Sequence, residues 1–269
     1  MIGSSGFLGR VITERLQAVE HVVPTHFQNP IFADSFRLDL LTDDLEPVFE
    51  TFSIETVIHC AGIEQQAETG AVERAMRRLL AHCSSKRFVY LSSDAIFAGD
   101  RGLYQEDETP EPLTHYGRNL LHCETLVRDH CPDHLILRPS YIYGVSRGEL
   151  DHRLTRTLNA VRANETVSLF EDMYKSPLGV QQVAEAVAAL SRDTVTGTLH
   201  VAGPRLSVLE FHREAMRALG YDPLTLVGVA MPIASELQRD TSLDTSKWQR
   251  LSGMHVLSVA QTLQPISKS

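Results

Sequence analysis

Ser92, Ser93 and Tyr116 are the residues whose types and spacing could do acid–base chemistry in this chain. The two serines close an apolar run at 88–91 that reads as a buried strand. An acidic, proline-containing loop follows, and a helix begins at Tyr116. A strand end that delivers a hydroxyl and a helix that returns a phenol are parts from which a proton-relay site can be built. The plainer alternatives are serines that cap a strand end, and a tyrosine on an ordinary amphipathic helix.

A second set of residues could hold an anion. Gly3, Gly6 and Gly9 precede the helical pattern Val11, Ile12, Leu16 and Val19. In such a turn the first glycine permits the tight bend, the second lets main-chain N–H groups approach a pyrophosphate, and the third packs helix against sheet. Phe7, Leu8 and Arg10 fall in the same turn and join the expected dinucleotide contacts. The strand that should precede this turn is almost missing, because only Met1 and Ile2 stand before Gly3. Either the natural chain begins upstream or another segment fills that slot. An acidic residue about 20 positions beyond the turn would hold a bare ribose. Thr25, His26, Gln28 and Asn29 offer no carboxylate, and Arg10 with His26 suits a 2′-phosphate, which leans towards NADP over NAD.

These residues need elements to position them. A strand at 21–27 carries Pro24, a sign of an edge or bulge. Asp39, beside Leu40, could meet an adenine amino group or cap a helix at 43–52. The buried strand 56–62 ends in Cys60, Ala61 and Gly62, small enough for a cofactor to lie against, or simply a tight turn. A helix at 72–83 turns Ala75, Leu79 and Leu80 inward, and its arginines read as a solvated face. Further strands are expected at 135–137, 167–170 and 197–203, and helices at 153–164, 180–191 and 208–219. An apolar stretch at 224–233 and a polar tail close the chain. Strands alternating with helices predict a doubly wound parallel sheet with right-handed crossovers.

Composition excludes several classes. A formal charge of −9 over 269 residues argues against a general nucleic-acid or anionic-membrane binder. The four cysteines show neither CxxC nor metal-ligand spacing and read as reduced thiols. His59, His115, His122 and His130 form no metal pattern, and no metal is expected. Without a long apolar run or a leader-like start, the expected compartment is the cytoplasm.

The segments GSSGFLGR, RLDL, HCAG, YLSSDAIFAG, YQEDETPEPLTHYGRN, LILRPSYIYG, SPLGVQQVAEAV, GTLHVAG and LDTSKW occur in that order across nearly the whole chain. Together they resemble the extended short-chain dehydrogenase/reductases, and within them the dTDP-4-dehydrorhamnose reductase group of sugar-nucleotide enzymes. The resemblance implies a Rossmann-like α/β domain (1–140 and 178–203) and a small C-terminal α/β substrate lobe (141–177 and 204–269). It implies that Ser93 hydrogen-bonds the substrate carbonyl and that Tyr116 donates the proton. Asp94, Ala95, Tyr141, Ser176 and Arg239 would contact substrate. Ser92 and the turn Arg138, Pro139 and Ser140 would lie beside the nicotinamide.

Two departures stand out. The group's YxxxK pattern reads Tyr116-Gly117-Arg118-Asn119-Leu120, so Leu120 takes the place of the lysine that holds the ribose and lowers the tyrosine pKa. Arg118 points to another face, and Asn119 carries no charge. Near Ala71-Val72-Glu73 the group's asparagine is also absent. A tyrosine without a neighbouring cation makes a poor base for alcohol oxidation but still serves as the acid for ketone reduction. The expected function is therefore NAD(P)H-dependent reduction of a keto group on a sugar nucleotide or similar small molecule. The alternative is a degenerate protein of the same fold acting as a binding or regulatory subunit. No nucleic acid or membrane partner is expected, and a homodimer is allowed.

Overall fold

The computed structural model describes residues 1–232 and 237–264, without the side chain of Gln66. The chain divides into two units: residues 1–96, 110–138 and 184–199 make the first, and 97–109, 139–183 and 200–269 the second.

The first unit is built on near-continuous apolar strands. Parallel strands β3 (Thr56–His59), β4 (Arg87–Leu91) and β5 (His134–Arg138) pair in register, Val57 with Phe88 and Val89 with Leu135. The strand Gly197–His200 adds beyond β5. Phe88, Val89, Tyr90, Leu135, Ile136 and Leu137 are all fully buried, as expected for a parallel sheet covered on both faces. The covering helices are α1 (Phe7–Gln17), α4 (Thr69–Ala81) and α5 (His115–His130). In α4 the buried positions Val72, Ala75, Met76, Leu79 and Leu80 recur at helical spacing. Two shorter helices, α2 (Glu46–Thr51) and α3 (Ile63–Gln66), lie in the connections.

The first strand is reduced to Ile2. It bridges His59 in parallel, taking a hydrogen bond from Cys60 N and donating one to Ile58 O. On its other side Thr25 N donates to Met1 O. The strand expected over 21–27 shrinks to β1 (Thr25–His26), paired in parallel with β2 (Phe36–Arg37). Pro24 has no N–H to extend the ladder backwards. A cavity of about 910 Å³, lined by Met1, Val23, Thr56, Val57, Leu79 and Arg87 among others, lies at the amino ends of the strands. Ser93 and the glycine turn lie at the carboxyl ends, so this cavity is not where the acid–base residues gather.

In the second unit, Val167–Phe170 pairs in parallel with Leu226–Val229, and Ile142–Tyr143 with Leu178–Gly179. Tyr143, Leu154, Phe211, Met216 and Leu226 form its core. The helix Val208–Ala218 starts with a full capping box, Ser207 with Glu210. The expected polar tail is instead partly helical. Ser246–Ser252 buries Trp248 completely, and Val259–Leu263 sends both its end residues into the core. Spacing in the tail hides this because each helix buries only one or two side chains. Ile233, the end of the expected apolar stretch, and residues 265–269 lie outside the described residues.

Candidate active site

The glycine turn is shaped by its neighbours. Gly3 has φ +83°, and a Cβ there would sit 2.7 Å from Ala61 N. A Cβ on Gly9 would sit 2.0 Å from Gly3 O, which is the close helix approach expected of the third glycine. At Gly6 a Cβ would meet only Gly3 O at 3.5 Å, so nothing local demands glycine there. Helix α1 begins at this turn with no side-chain cap and no acidic residue in its first turn. An uncapped, glycine-rich helix start suits a pyrophosphate, so the cradle fits a dinucleotide. Cys60, Ala61 and Gly62 run alongside; Leu8 and Leu40 are core residues, and Arg10 lies 5.7 Å from the centre of the Phe7 ring. Asp39 spends its carboxylate on its own turn, accepting from Leu41 N at 2.9 Å and Thr42 Oγ1 at 3.0 Å. His26 Nδ1 pairs with Ser35 Oγ at 2.8 Å.

The acid–base residues meet at the end of β4. Ser93 donates from Oγ to Asp94 Oδ1 at 2.9 Å and accepts from Ala95 N at 3.3 Å. Helix α5 reaches this turn because Gly117 has no side chain: a Cβ there would be 2.2 Å from Ala95 O. Thr114 caps the helix by accepting from Gly117 N at 3.0 Å. Tyr116, next to Gly117 in the first turn of α5, is thereby brought to the turn Asp94–Ile96. Burial first, then the negative charges of Glu64 and Asp94, push its phenol above the ordinary tyrosine value, while hydrogen bonding from Ser93 and Gln65 pulls partly back.

One helical turn on, Leu120 is 1% exposed and belongs to the core. Asn119 is fully buried and donates to Glu64 O at 3.0 Å and Ala67 O at 3.2 Å, while Thr69 Oγ1 donates to its Oδ1 at 2.7 Å. Spacing does not single out Glu64, yet this residue is 2% exposed and its carboxyl accepts from Tyr90 OH at 2.7 Å. Burial raises that carboxyl to about 7 against the Tyr90 and main-chain hydrogen bonds, which favour the anion. Gly117, Asn119 and Tyr90 are the other contributors that the sequence pattern does not mark.

Arg138 is committed to Glu124, with Nε to Oε1 at 2.9 Å and Nη2 to Oε2 at 2.7 Å. Burial alone would raise the Glu124 carboxyl, but the hydrogen bonds and charge of Arg138 outweigh it and lower it. Ser92 is buried beside this pair. The remaining expected contacts belong to the second unit. There Ser140 Oγ accepts from Ser176 N at 3.2 Å, and Ser176 Oγ from Leu243 N at 3.0 Å. Tyr141 pairs through its OH with His212 Nε2 at 2.9 Å, under the Arg153 guanidinium. Arg239 is ion-paired with Asp172. Asp244 accepts from Ser246 N at 2.8 Å, an ordinary helix-start contact.

Among the described residues the four cysteines are free thiols, and no helix is long and apolar enough to cross a membrane. A parallel α/β sheet, a glycine turn opening a helix, and a Ser–Tyr pair at a strand's carboxyl end define an extended short-chain dehydrogenase/reductase. Residues 1–268 match the RmlD substrate binding domain family, and the chain belongs to it. It is similar to the probable low-salt glycan biosynthesis reductase Agl14 of Haloferax volcanii, 32% identical over 218 residues that span 74% of this chain and 72% of the relative. A further relative is methionine adenosyltransferase 2 subunit beta of Rattus norvegicus, 24% identical over 75% of this chain and 65% of its own length. Among solved structures, dTDP-4-dehydrorhamnose reductase of Bacillus anthracis in complex with NADP aligns with a TM-score of 0.79 at 20% identity, covering 98% of this chain and 95% of that one.

Proposed function

We propose that this protein reduces a keto group on a sugar nucleotide or a similar small molecule, using a nicotinamide cofactor. The observation that carries the reading is the placement of Tyr116 against Ser93, enforced by the Gly117 contact with Ala95. The names of its reductase relatives point the same way.

Gly3, Gly6 and Gly9 with the start of α1 would hold the pyrophosphate, and Cys60, Ala61 and Gly62 would flank it. The lack of a carboxylate near residues 25–29, with Arg10 and His26 as the nearby cationic candidates, favours NADP. When bound, the nicotinamide supplies hydride. Ser93 then turns its hydroxyl from Asp94 to the substrate carbonyl, and Tyr116 gives its phenolic proton to the carbonyl oxygen. Burial keeps Tyr116 protonated and so ready as an acid. Asp94, Ala95, Tyr141, Ser176 and Arg239 are the proposed substrate contacts, and Ser92 with Arg138, Pro139 and Ser140 would support the cofactor's nicotinamide end.

A second reading has one observation in its favour. Leu120 is a core residue where the related enzymes place a ribose-holding lysine, which fits a binding or regulatory subunit. Turnover separates the two. NADPH oxidation in the presence of a 4-keto sugar nucleotide should be seen with the wild type and fall by about 100-fold or more in Tyr116→Phe. Equal rates in both proteins would remove Tyr116 from the chemistry, and no turnover with bound cofactor would favour the subunit.

A further inference from the structure

The strand beside the glycine turn ends in a histidine where a carboxylate would serve a bare ribose. Thr25 is laced to that turn: its O accepts from Ser4 N at 3.0 Å, its N–H donates to Met1 O at 2.9 Å, and its Oγ1 accepts from Gly3 N at 3.4 Å. His26, 20 residues after Gly6, is the next side chain on β1. A carboxylate at this station would accept from the hydroxyls of an adenosine ribose.

The His26 ring is held in one tautomer. Ser35 Oγ lies 2.6 Å from Phe32 O, and a carbonyl has no proton to give, so the serine hydroxyl donates there. Its oxygen is then left to accept from His26 Nδ1–H at 2.8 Å. With Nδ1 so committed, Nε2 on the opposite side of the ring carries a lone pair when the ring is neutral and an N–H only when it is charged. Among the described residues Nε2 has no hydrogen-bond partner, and the side chain is half-buried. Parallel register sets His26 beside Arg37, so the two side chains share one face of the β1–β2 pair. Arg37 is exposed, and its Nη1 meets Asp43 Oδ2 at 3.0 Å, a surface pair that costs little to reopen.

We propose that His26, oriented by Ser35 and backed by Arg37, selects the cofactor, and that this selection is coupled to a proton. Charged His26 donates from Nε2 to a 2′-phosphate, which Arg37 reaches from the same face. Neutral His26 turns a lone pair towards that phosphate and repels it, whereas the same lone pair accepts from a ribose 2′-hydroxyl. NADPH binding therefore takes up a proton from solvent and NADH binding takes up none, so the preference for NADPH weakens as pH rises. The inference rests on the dinucleotide reading of the glycine turn and does not depend on turnover.

The charged and titratable groups on the elements around His26 leave Nε2 to a ligand. After β2, Asp39 accepts from Leu41 N and Thr42 Oγ1, and Asp43 accepts from Asp39 N at 2.8 Å as well as from Arg37. Asp34, next to Ser35, is exposed. Arg10, in the first turn of α1, lies 5.7 Å from the centre of the Phe7 ring. At the other end of the segment His21 is exposed and the Met1 amino group donates to Val23 O at 2.9 Å.

The test is calorimetric titration of the full chain with NADPH and with NADH, in buffers of different ionisation heat at about pH 7.5, where a phosphate monoester is already a dianion. Uptake of most of a proton is expected with NADPH and none with NADH. From about pH 6.5 to about pH 8.5 the ratio of the two affinities should fall about tenfold, while groups that act on both nucleotides cancel in that ratio. In His26→Gln the ratio should be flat and the uptake lost, and His26→Asp should turn the preference to NADH. In Arg37→Gln NADPH should bind about tenfold more weakly with its proton uptake retained. The wild-type uptake decides alone if a variant fails to fold. No uptake with NADPH, equal uptake with both nucleotides, or uptake that survives in His26→Gln overturns the proposal. A folded protein that binds neither nucleotide overturns the proposal together with the dinucleotide reading. Proton-linked selection in a protein without turnover removes the reductase reading alone and leaves the role of His26 standing.

Discussion

Asn119 donates a hydrogen bond to the main-chain oxygen of Glu64 at 3.0 Å, and so the helix that carries Tyr116 is fixed to the turn that carries the buried carboxyl. The same side chain reaches Ala67 O and accepts from Thr69, with no exposure to solvent. Replacing it leaves buried main-chain oxygens short of a donor. Asn119→Ala should cost about 1–3 kcal/mol in chemical denaturation. A loss below about 0.5 kcal/mol would mean that α5 is held by its apolar face alone.

Gly117 is set by contact, since its φ lies outside the positive range. A methyl group at that position would fall 2.2 Å from Ala95 O, which is main chain and cannot swing away. Gly117→Ala should therefore lift the first turn of α5 and cost about 1–3 kcal/mol, as overpacking does. It should also reduce turnover more than its stability loss explains. Calorimetry and kinetics on one preparation check both.

The pH dependence of stability follows from Glu64, whose folded value of about 7 lies above the reference value of 4.5. A raised carboxyl binds its proton more tightly in the folded state. Its stabilising contribution is thus complete below pH 4.5 and is lost as pH rises through 7. Relative to Glu64→Gln, the wild type should lose about 3 kcal/mol over that window. His59 and His212, both lowered to about 4, act the other way: their contribution is present above 6.5 and lost as pH falls through 4. Those contributions are common to both proteins and cancel in the difference. A wild-type minus variant difference that stays flat from about pH 4.5 to about pH 7.5 would show that Glu64 is solvated.

At Gly3 both the backbone and the space exclude a side chain. With φ +83° and Ala61 N only 2.7 Å from where a Cβ would stand, Gly3→Ala should lower Tm by several degrees and weaken cofactor binding about tenfold or more. Ser4→Ala is a suitable control for a neighbouring small residue; its hydroxyl donates to Met1 O, so only a modest stability loss is expected.

Much of the first unit is legible from pattern. The inner strands are short apolar runs bounded by polar turns, so β4 and β5 emerge within a residue of their observed ends, whereas β3 stops at His59, short of the expected Gly62, and α4 begins at Thr69, ahead of the expected Val72. Ser93 and Tyr116 stand out because a hydroxyl at a strand end and a tyrosine at a helix start have local signatures. Glu64 has none. It sits in a four-residue helix, and only the tertiary placement of Tyr90 and α5 turns an ordinary glutamate into a buried carboxyl. Trp248 and Val259 escape the pattern for a similar reason: their helices are only seven and five residues long, too short to show a helical apolar period, and each buries only one or two side chains.

The most direct measurement is titration of the purified protein with NADPH and with NADH, following nicotinamide fluorescence together with Tm. The account predicts saturable binding, tighter for NADPH, with about 2.7 kcal/mol of added stability at a hundredfold excess over Kd, and binding about tenfold or more weaker in Gly3→Ala. A folded protein that binds neither nucleotide at millimolar concentration would contradict it.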